Sequence, residues 1–300
     1  MRRLRLCGLL LIATAACSES DARGERSETA NDAPGAASTA RDVSVEPGER
    51  TSPAPAPYLF AWAGDLDRAE SDFLAVIDAD PDSPDYGRVV TTLPVGRRGT
   101  MPHHTEHRMP ASRHLFANGF RSGTTFRFDL SDPESPALLG SFAAADGYTH
   151  PHSYERLSNG NVLATFQGTG ERNLDPGGLV ELTDGGEVVR SASAADPAAP
   201  DALLRPYSLA IAPKIDRVVV TSYDMGEDMG FEGGRRGRTH VVQVWRLSDL
   251  EVLATIDLPP GPGGGGDEQP GEPRVLSDGR TVYVATFTCG LYRIDGLASG

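Results

Sequence analysis

From residue 58 onward the chain alternates short apolar runs of period two with polar turns. YLFAWA, DFLAVID and VVTTLP come first; HLFANG, TTFRFDL, NVLATFQ, GLVEL, VVVTS, VVQVWRL, VLATIDL and TVYVATF follow. Turn formers such as Ser158-Asn159-Gly160 and Ser277-Asp278-Gly279 separate them. Period-two runs bracketed by turns predict successive β-hairpins. The 34 Gly and 23 Pro agree, because both residue types destabilise helix interiors.

The hairpins repeat. Four segments share one layout: MPHHTEHRMPASRHLFANGF onward, HPHSYERLSNGNVLATFQ onward, RPYSLAIAPKIDRVVVTS onward, and GEPRVLSDGRTVYVATFTCGLYRI. Each opens on a short polar stretch, at Pro102, Pro151, Pro206 and Glu272 or Pro273, so the first two spacings are 49 and 55 residues and the third about 66. Repeats of roughly 40 to 50 residues are characteristic of propeller blades, and the loops GEDMGFEGGRRGR and PPGPGGGGDEQPGE lengthen these. Residues 58–95 supply the strands of an earlier blade. The fold class expected is therefore all-β, a β-propeller over residues 58–300 with four to five blades. Blades radiate from a channel, so equivalent opening positions meet around one mouth. At these positions stand His103 with His104, His152 and Tyr207.

Ahead of the repeats the pattern changes. Arg2, Arg3 and Arg5 precede the apolar run from Leu6 to Ala13 and the small residues Thr14-Ala15-Ala16, which predicts a signal peptide over 1–16. Cys17 follows, as in a bacterial lipoprotein leader, where that cysteine is lipidated. Residues 18–57 hold no aromatic residue, Leu or Ile, and predict a disordered linker. The expectation is an exported chain anchored to a bacterial membrane by lipid on Cys17, facing the periplasm or cell exterior.

Acidic residues outnumber Lys plus Arg by 42 to 28, which argues against a nucleic-acid partner. Lys214 is the single lysine, weakening Schiff-base or phosphate-loop chemistry. Neither a GxSxG elbow nor HExxH occurs, so a hydrolase has thin support. The Asp residues around Asp78 and Asp129 suit strand-end turns better than calcium. With Cys7 and Cys17 in the leader region, Cys289 remains alone, expected as a small buried residue in or at the end of a strand.

Imidazole is the commonest metal ligand, so His103, His104 and His152, gathered from neighbouring blades, predict a metal site. His107 and His114 are expected at the surface, and His240 as a structural residue. A neighbouring acid or phenol, Glu106, Glu155 or Tyr207, is a candidate for proton transfer.

YLFAWAGD, DFLAVIDADPDSPDYGRVVTTLPV, PHH, FRFDLSDPESPALL, PHSYERLSNGNVLATFQ and THVVQVWRL, in that order over residues 58–258, resemble the selenium-binding protein family, which includes bacterial methanethiol oxidases. The resemblance implies a seven-bladed propeller and copper held by histidines near the channel. It implies a small thiol and O2 as substrates, with methanethiol, oxygen and water giving formaldehyde, hydrogen sulfide and hydrogen peroxide. By position, the family's ligands fall on His103, His104 and His152. Glu155 and Tyr207 stand where family members often carry further histidines, another family ligand belongs to C-terminal blades, and the selenium-associated cysteine of animal members falls at Gly87. These departures leave a second expectation open, a non-catalytic metal- or ligand-binding propeller lipoprotein.

Overall fold

The computed structural model describes residues 57–170, 176–225, 240–261 and 268–298. The leader, Cys17 and the linker up to residue 56 lie outside the described residues. Described strands form five antiparallel sheets. The first holds β1 (Tyr58–Ala63), β2 (Phe73–Asp78) and β3 (Val89–Pro94); the second holds β4 (Pro102–Thr105), β5 (His114–Gly119), β6 (Thr124–Asp129) and β7 (Ala137–Phe142). The third is ordered β12-β11-β10-β9-β8, from β8 (Ala144–Ala145), β9 (Tyr148–Arg156), β10 (Val162–Thr169), β11 (Gly178–Leu182) and β12 (Val188–Ser193). The fourth comprises β13 (Pro206–Ala212), β14 (Arg217–Ser222), β15 (Val241–Arg246) and β16 (Val252–Asp257), and the fifth β17 (Pro270–Val275), β18 (Val282–Thr286) and β19 (Leu291–Ile294). The inner strands β1, β4, β9, β13 and β17 neighbour one another in series, as in a propeller.

Period-two alternation explains why the sheets stack face to face. On β5, Leu115 and Ala117 join a core with Leu74, Phe126 and Phe128, while Phe116 between them points the other way, onto Tyr154, Phe166 and Val180. On β14, Val218 and Val220 pack with Leu163, Leu179 and Trp245, whereas Val219 packs with Val242, Val282 and Val284. Central strands are thus apolar on both faces, and β10 is buried along nearly its whole length. Burying each such side chain contributes roughly 1.5–3 kcal/mol. Outer strands such as β7 and β12 are largely exposed.

Two expectations change. Cys289 lies in the turn between β18 and β19, exposed and with positive φ (65°), because Thr286 closes that turn by pairing with Gly290. The fifth sheet opens at Pro270, paired with Thr286, and not at Glu272 or Pro273.

The turn role of the aspartates holds. Asp78 Oδ1 accepts from Asp80 N and Asp129 Oδ1 from Ser131 N, both at 2.9 Å.

Candidate metal centre

The inner strands of four sheets share an irregularity. Between Pro102 and Thr105, Pro151 and Tyr154, Pro206 and Leu209, and Pro270 and Pro273, two residues of the inner strand oppose one residue of its neighbour. Each is a β-bulge, which breaks the alternation of side chains and re-aims them. The bulged pairs are His103-His104, His152-Ser153, Tyr207-Ser208 and Gly271-Glu272; the opposing residues are Asn118, Thr165, Thr221 and Ala285.

The opposing side chains fasten the bulges. Asn118 Oδ1 accepts from His104 N (2.6 Å), Thr165 Oγ1 from Ser153 N (2.9 Å) and Thr221 Oγ1 from Ser208 N (3.1 Å). The same groups donate to the next sheet's inner strand: Asn118 Nδ2 to Pro151 O (3.1 Å), Thr165 Oγ1 to Tyr207 O (2.9 Å) and Thr221 Oγ1 to Gly271 O (2.7 Å). Each satisfies a backbone N–H freed by the bulge and ties one blade to the next.

Because a bulge relaxes the two-face rule, both adjacent histidines reach one place. The imidazole centroids lie 4.5 Å apart for His103 and His104, 4.9 Å for His103 and His152, and 4.4 Å for His104 and His152. One ring nitrogen from each lies within 4.8 Å of the others. His152 is fully buried, and its Nδ1–H donates to the Tyr207 carbonyl at 2.6 Å. A carbonyl only accepts, so Nδ1 carries the proton and Nε2 presents a lone pair. That Nε2 is buried and has no hydrogen-bond partner among the described residues. Desolvation, then repulsion from His104, lowers the His103 pKa to about 4; desolvation, then the charges of His107 and Arg274, lowers that of His104 to about 4. Burial, reinforced by His104 and His103, holds His152 well below the usual imidazole range. Three neutral imidazoles with an orphaned lone pair among them fit a transition-metal ion.

Tyr207 lies against the cluster, its ring centroid 4.0 Å from that of His152, and burial raises its phenol pKa, keeping the O–H neutral. Tyr207 also belongs to an apolar wall with Phe120 and Met225, flanked by Met101 and Tyr223, and Phe287 stacks on Tyr223 at 4.6 Å.

The structure places the two candidate glutamates away from the imidazoles, at equivalent positions just past the bulges. Glu106 is buried in an ion pair: Oε1 accepts from Arg156 Nε (2.8 Å), and Oε2 from Arg156 Nη2 (2.9 Å) and Phe116 N (3.0 Å). Both oxygens are thus committed, and Arg156, fifty residues away in sequence, is held in place by further bonds to Asp184 and the His114 carbonyl. Glu155 lines a cavity of about 540 Å³ with Glu106, His107, Arg108, Arg156 and Arg274. Burial raises its pKa to about 6 against the lowering pull of Arg274 and Arg108.

His107 is half exposed and meets Arg274 Nη2 at 2.9 Å. His114 is more than a surface residue: its Nδ1 lies 2.5 Å from Asp184 Oδ2, joining the second and third sheets. His240, just ahead of β15, lies 3.5 Å from Asp257. Sequence reasoning missed Glu272 as a site residue. Its Oε1 lies 3.7 Å from His104 Nε2, and the signal that finds it is the bulge register, Pro270-Gly271-Glu272-Pro273 against Pro102-His103-His104-Thr105.

No family model matches the chain. A stretch of 137 residues, 44% of the chain, is 34% identical to the methanethiol oxidase of a Hyphomicrobium species, of which it spans 31%. Selenium-binding protein 2 of Arabidopsis thaliana is 29% identical over 140 residues, 42% of this chain and 29% of that protein. Over that stretch the chain is similar to a methanethiol oxidase and to selenium-binding proteins. A hypothetical selenium-binding protein from Sulfolobus tokodaii superposes with a TM-score of 0.60 at 14% identity, over 79% of this chain and 59% of that one. A protein from Lactobacillus plantarum gives 0.53 at 10% identity, over 80% of this chain and 67% of the other. These two likenesses are of fold. The matched stretch spans about a third of the length of these curated relatives.

Proposed function

We propose that this chain is a copper-dependent oxidase of a small thiol, of the methanethiol-oxidase kind, converting methanethiol, oxygen and water to formaldehyde, hydrogen sulfide and hydrogen peroxide. The observation that carries the reading is the cluster of three neutral imidazoles in which His152 Nε2 is buried and unpartnered. His103, His104 and His152 would hold the copper, which supplies thiolate binding and electron transfer to oxygen. The rest falls to the chain itself. Tyr207 keeps its proton and offers a donor beside His152, and the wall of Phe120, Tyr207, Met225 and Tyr223 favours a small apolar group over a charged one. Glu155 exchanges a proton near neutral pH within the cavity it lines, while Glu106 positions Arg156.

The proposal includes export by residues 1–16, lipid anchoring of Cys17 to a bacterial membrane, a spacer to residue 57 and a propeller over 58–300 facing the periplasm or cell exterior. Metal analysis of the purified chain against His103→Ala/His104→Ala tests the centre: stoichiometric copper in the parent and its loss in the variant is expected, and equal, negligible copper in both overturns the reading. One observation favours a non-catalytic ligand-binding lipoprotein instead: the bulge positions of His103 and His152 are filled by Tyr207 and Gly271 in the fourth and fifth sheets. Copper-dependent hydrogen peroxide release from methanethiol rejects that alternative, and stoichiometric copper without release supports it.

A further inference from the structure

The four inner-strand bulges have His104, Ser153, Ser208 and Glu272 at their second positions. They fall into two hydrogen-bonded groups, Ser153 with the imidazoles and Ser208 with Glu272. Ser153 Oγ lies 3.2 Å from His104 Nδ1 and 3.1 Å from His152 Nδ1, and Ser208 Oγ donates to Glu272 Oε2 at 2.8 Å. Arg274 Nη1 donates to the same Oε2 at 2.9 Å, which fixes the carboxylate and leaves Oε1 turned toward His104.

Oε1 is buried and has no hydrogen-bond partner among the described residues. A buried carboxylate oxygen without a partner is costly, so the arrangement calls for a positive group or a hydrogen-bond donor at that point. His104 Nε2, at 3.7 Å, is too distant to serve. That spacing instead suits two donors sharing one ion, since donors each about 2.0–2.1 Å from a metal stand roughly 3–4 Å apart. A second orphan, His152 Nε2, lies on the histidine cluster that His104 also joins. Both orphans are acceptors, the kind of atom that a cation satisfies.

We infer that Glu272 is the fourth protein donor of the histidine centre, and that its carboxylate makes the site select a divalent ion over a monovalent one. The inference rests on the metal reading above. Three neutral imidazoles and one carboxylate carry a formal charge of −1 and include a hard oxygen, a donor set that suits Cu(II), Zn(II) or Co(II) better than Cu(I), which prefers soft ligands.

The test is titration of the metal-free chain with Co(II) and, separately, Cu(I), for the parent, Glu272→Gln and Glu272→Asp, following the Co(II) ligand-field spectrum and affinity by competition. Circular dichroism confirms folding. Glu272→Gln is expected to weaken Co(II) at least 10-fold and shift its spectrum while changing Cu(I) affinity less than 3-fold. Glu272→Asp, which keeps the charge and withdraws the oxygen, is expected to shift the spectrum with a smaller loss, and it serves alone if the Gln variant does not fold. Unchanged Co(II) affinity and spectrum in these variants overturn the role of Glu272 and leave the histidine centre standing. A parent chain that takes up neither ion overturns both.

Discussion

The second and third sheets and the fourth and fifth sheets build the same bulge after the same kind of proline, yet they present different chemistry. In the first pair the bulge positions carry His103, His104, His152 and Ser153; in the second they carry Tyr207, Ser208, Gly271 and Glu272. The fastening group runs Asn118, Thr165, Thr221 and then stops at Ala285, which has neither donor nor acceptor. Backbone irregularity decides where side chains point, and residue choice decides what they do there. Past the bulges the contrast continues: Glu106 and Glu155 on one side of the cavity have Ala210 and Arg274 as their equivalents on the other.

That contrast can be broken most severely at His152. His152→Ala removes the buried lone pair and is expected to abolish stoichiometric metal uptake, read by metal analysis after dialysis, whereas Tyr207→Phe at the equivalent position retains it.

Thr165 and Thr221 sharpen the comparison. Both make the same hydrogen bonds, but only the carbonyl held by Thr165 also fixes the His152 tautomer. Thr165→Val is expected to weaken metal binding 10- to 100-fold, with recovery in Thr165→Ser, while Thr221→Val changes it less than about 3-fold. Each Val variant loses about 1–2 kcal/mol in urea unfolding. Equal metal affinities in the two Val variants would remove the distinction.

Glu155 offers a pH test of the cavity's acidic side. Its folded pKa of about 6 lies above the ordinary value of 4.5, so the folded state binds its proton more tightly, and this group's contribution to stability falls as pH rises from 4.5 through 6. Glu155→Gln is therefore expected to stabilise the chain by about 1–2 kcal/mol at pH 7.5, with the gain gone below pH 4.5. A gain that persists at pH 4 would refute the assignment.

The smallest change concerns the missing fastener. Ala285→Thr supplies an acceptor for the Glu272 amide, and a rise of about 0.5–1 kcal/mol in unfolding free energy is expected.

Much of this was legible in the chain. Period two and turn residues are local, so the hairpins and their repetition could be read directly, and because His103 and His152 each follow a proline at the start of a repeat, their meeting followed from the repeat alone. Glu272 was not legible, since Gly271-Glu272-Pro273 carries no imidazole to mark it and follows a long glycine-rich loop. Nor was the fate of Glu106, whose freedom depends on Arg156 fifty residues on.

The sequence by itself determined which segments become strands and that Pro102, Pro151 and Pro206 begin their repeats, because alternation, turns and prolines act over a few residues. Only the tertiary structure decided that two adjacent histidines reach one place, which carboxylate is spent in an ion pair, and which nitrogen of His152 stays open. Those outcomes depend on bulge register and on groups delivered by neighbouring sheets, contacts that have no counterpart in the linear order of residues.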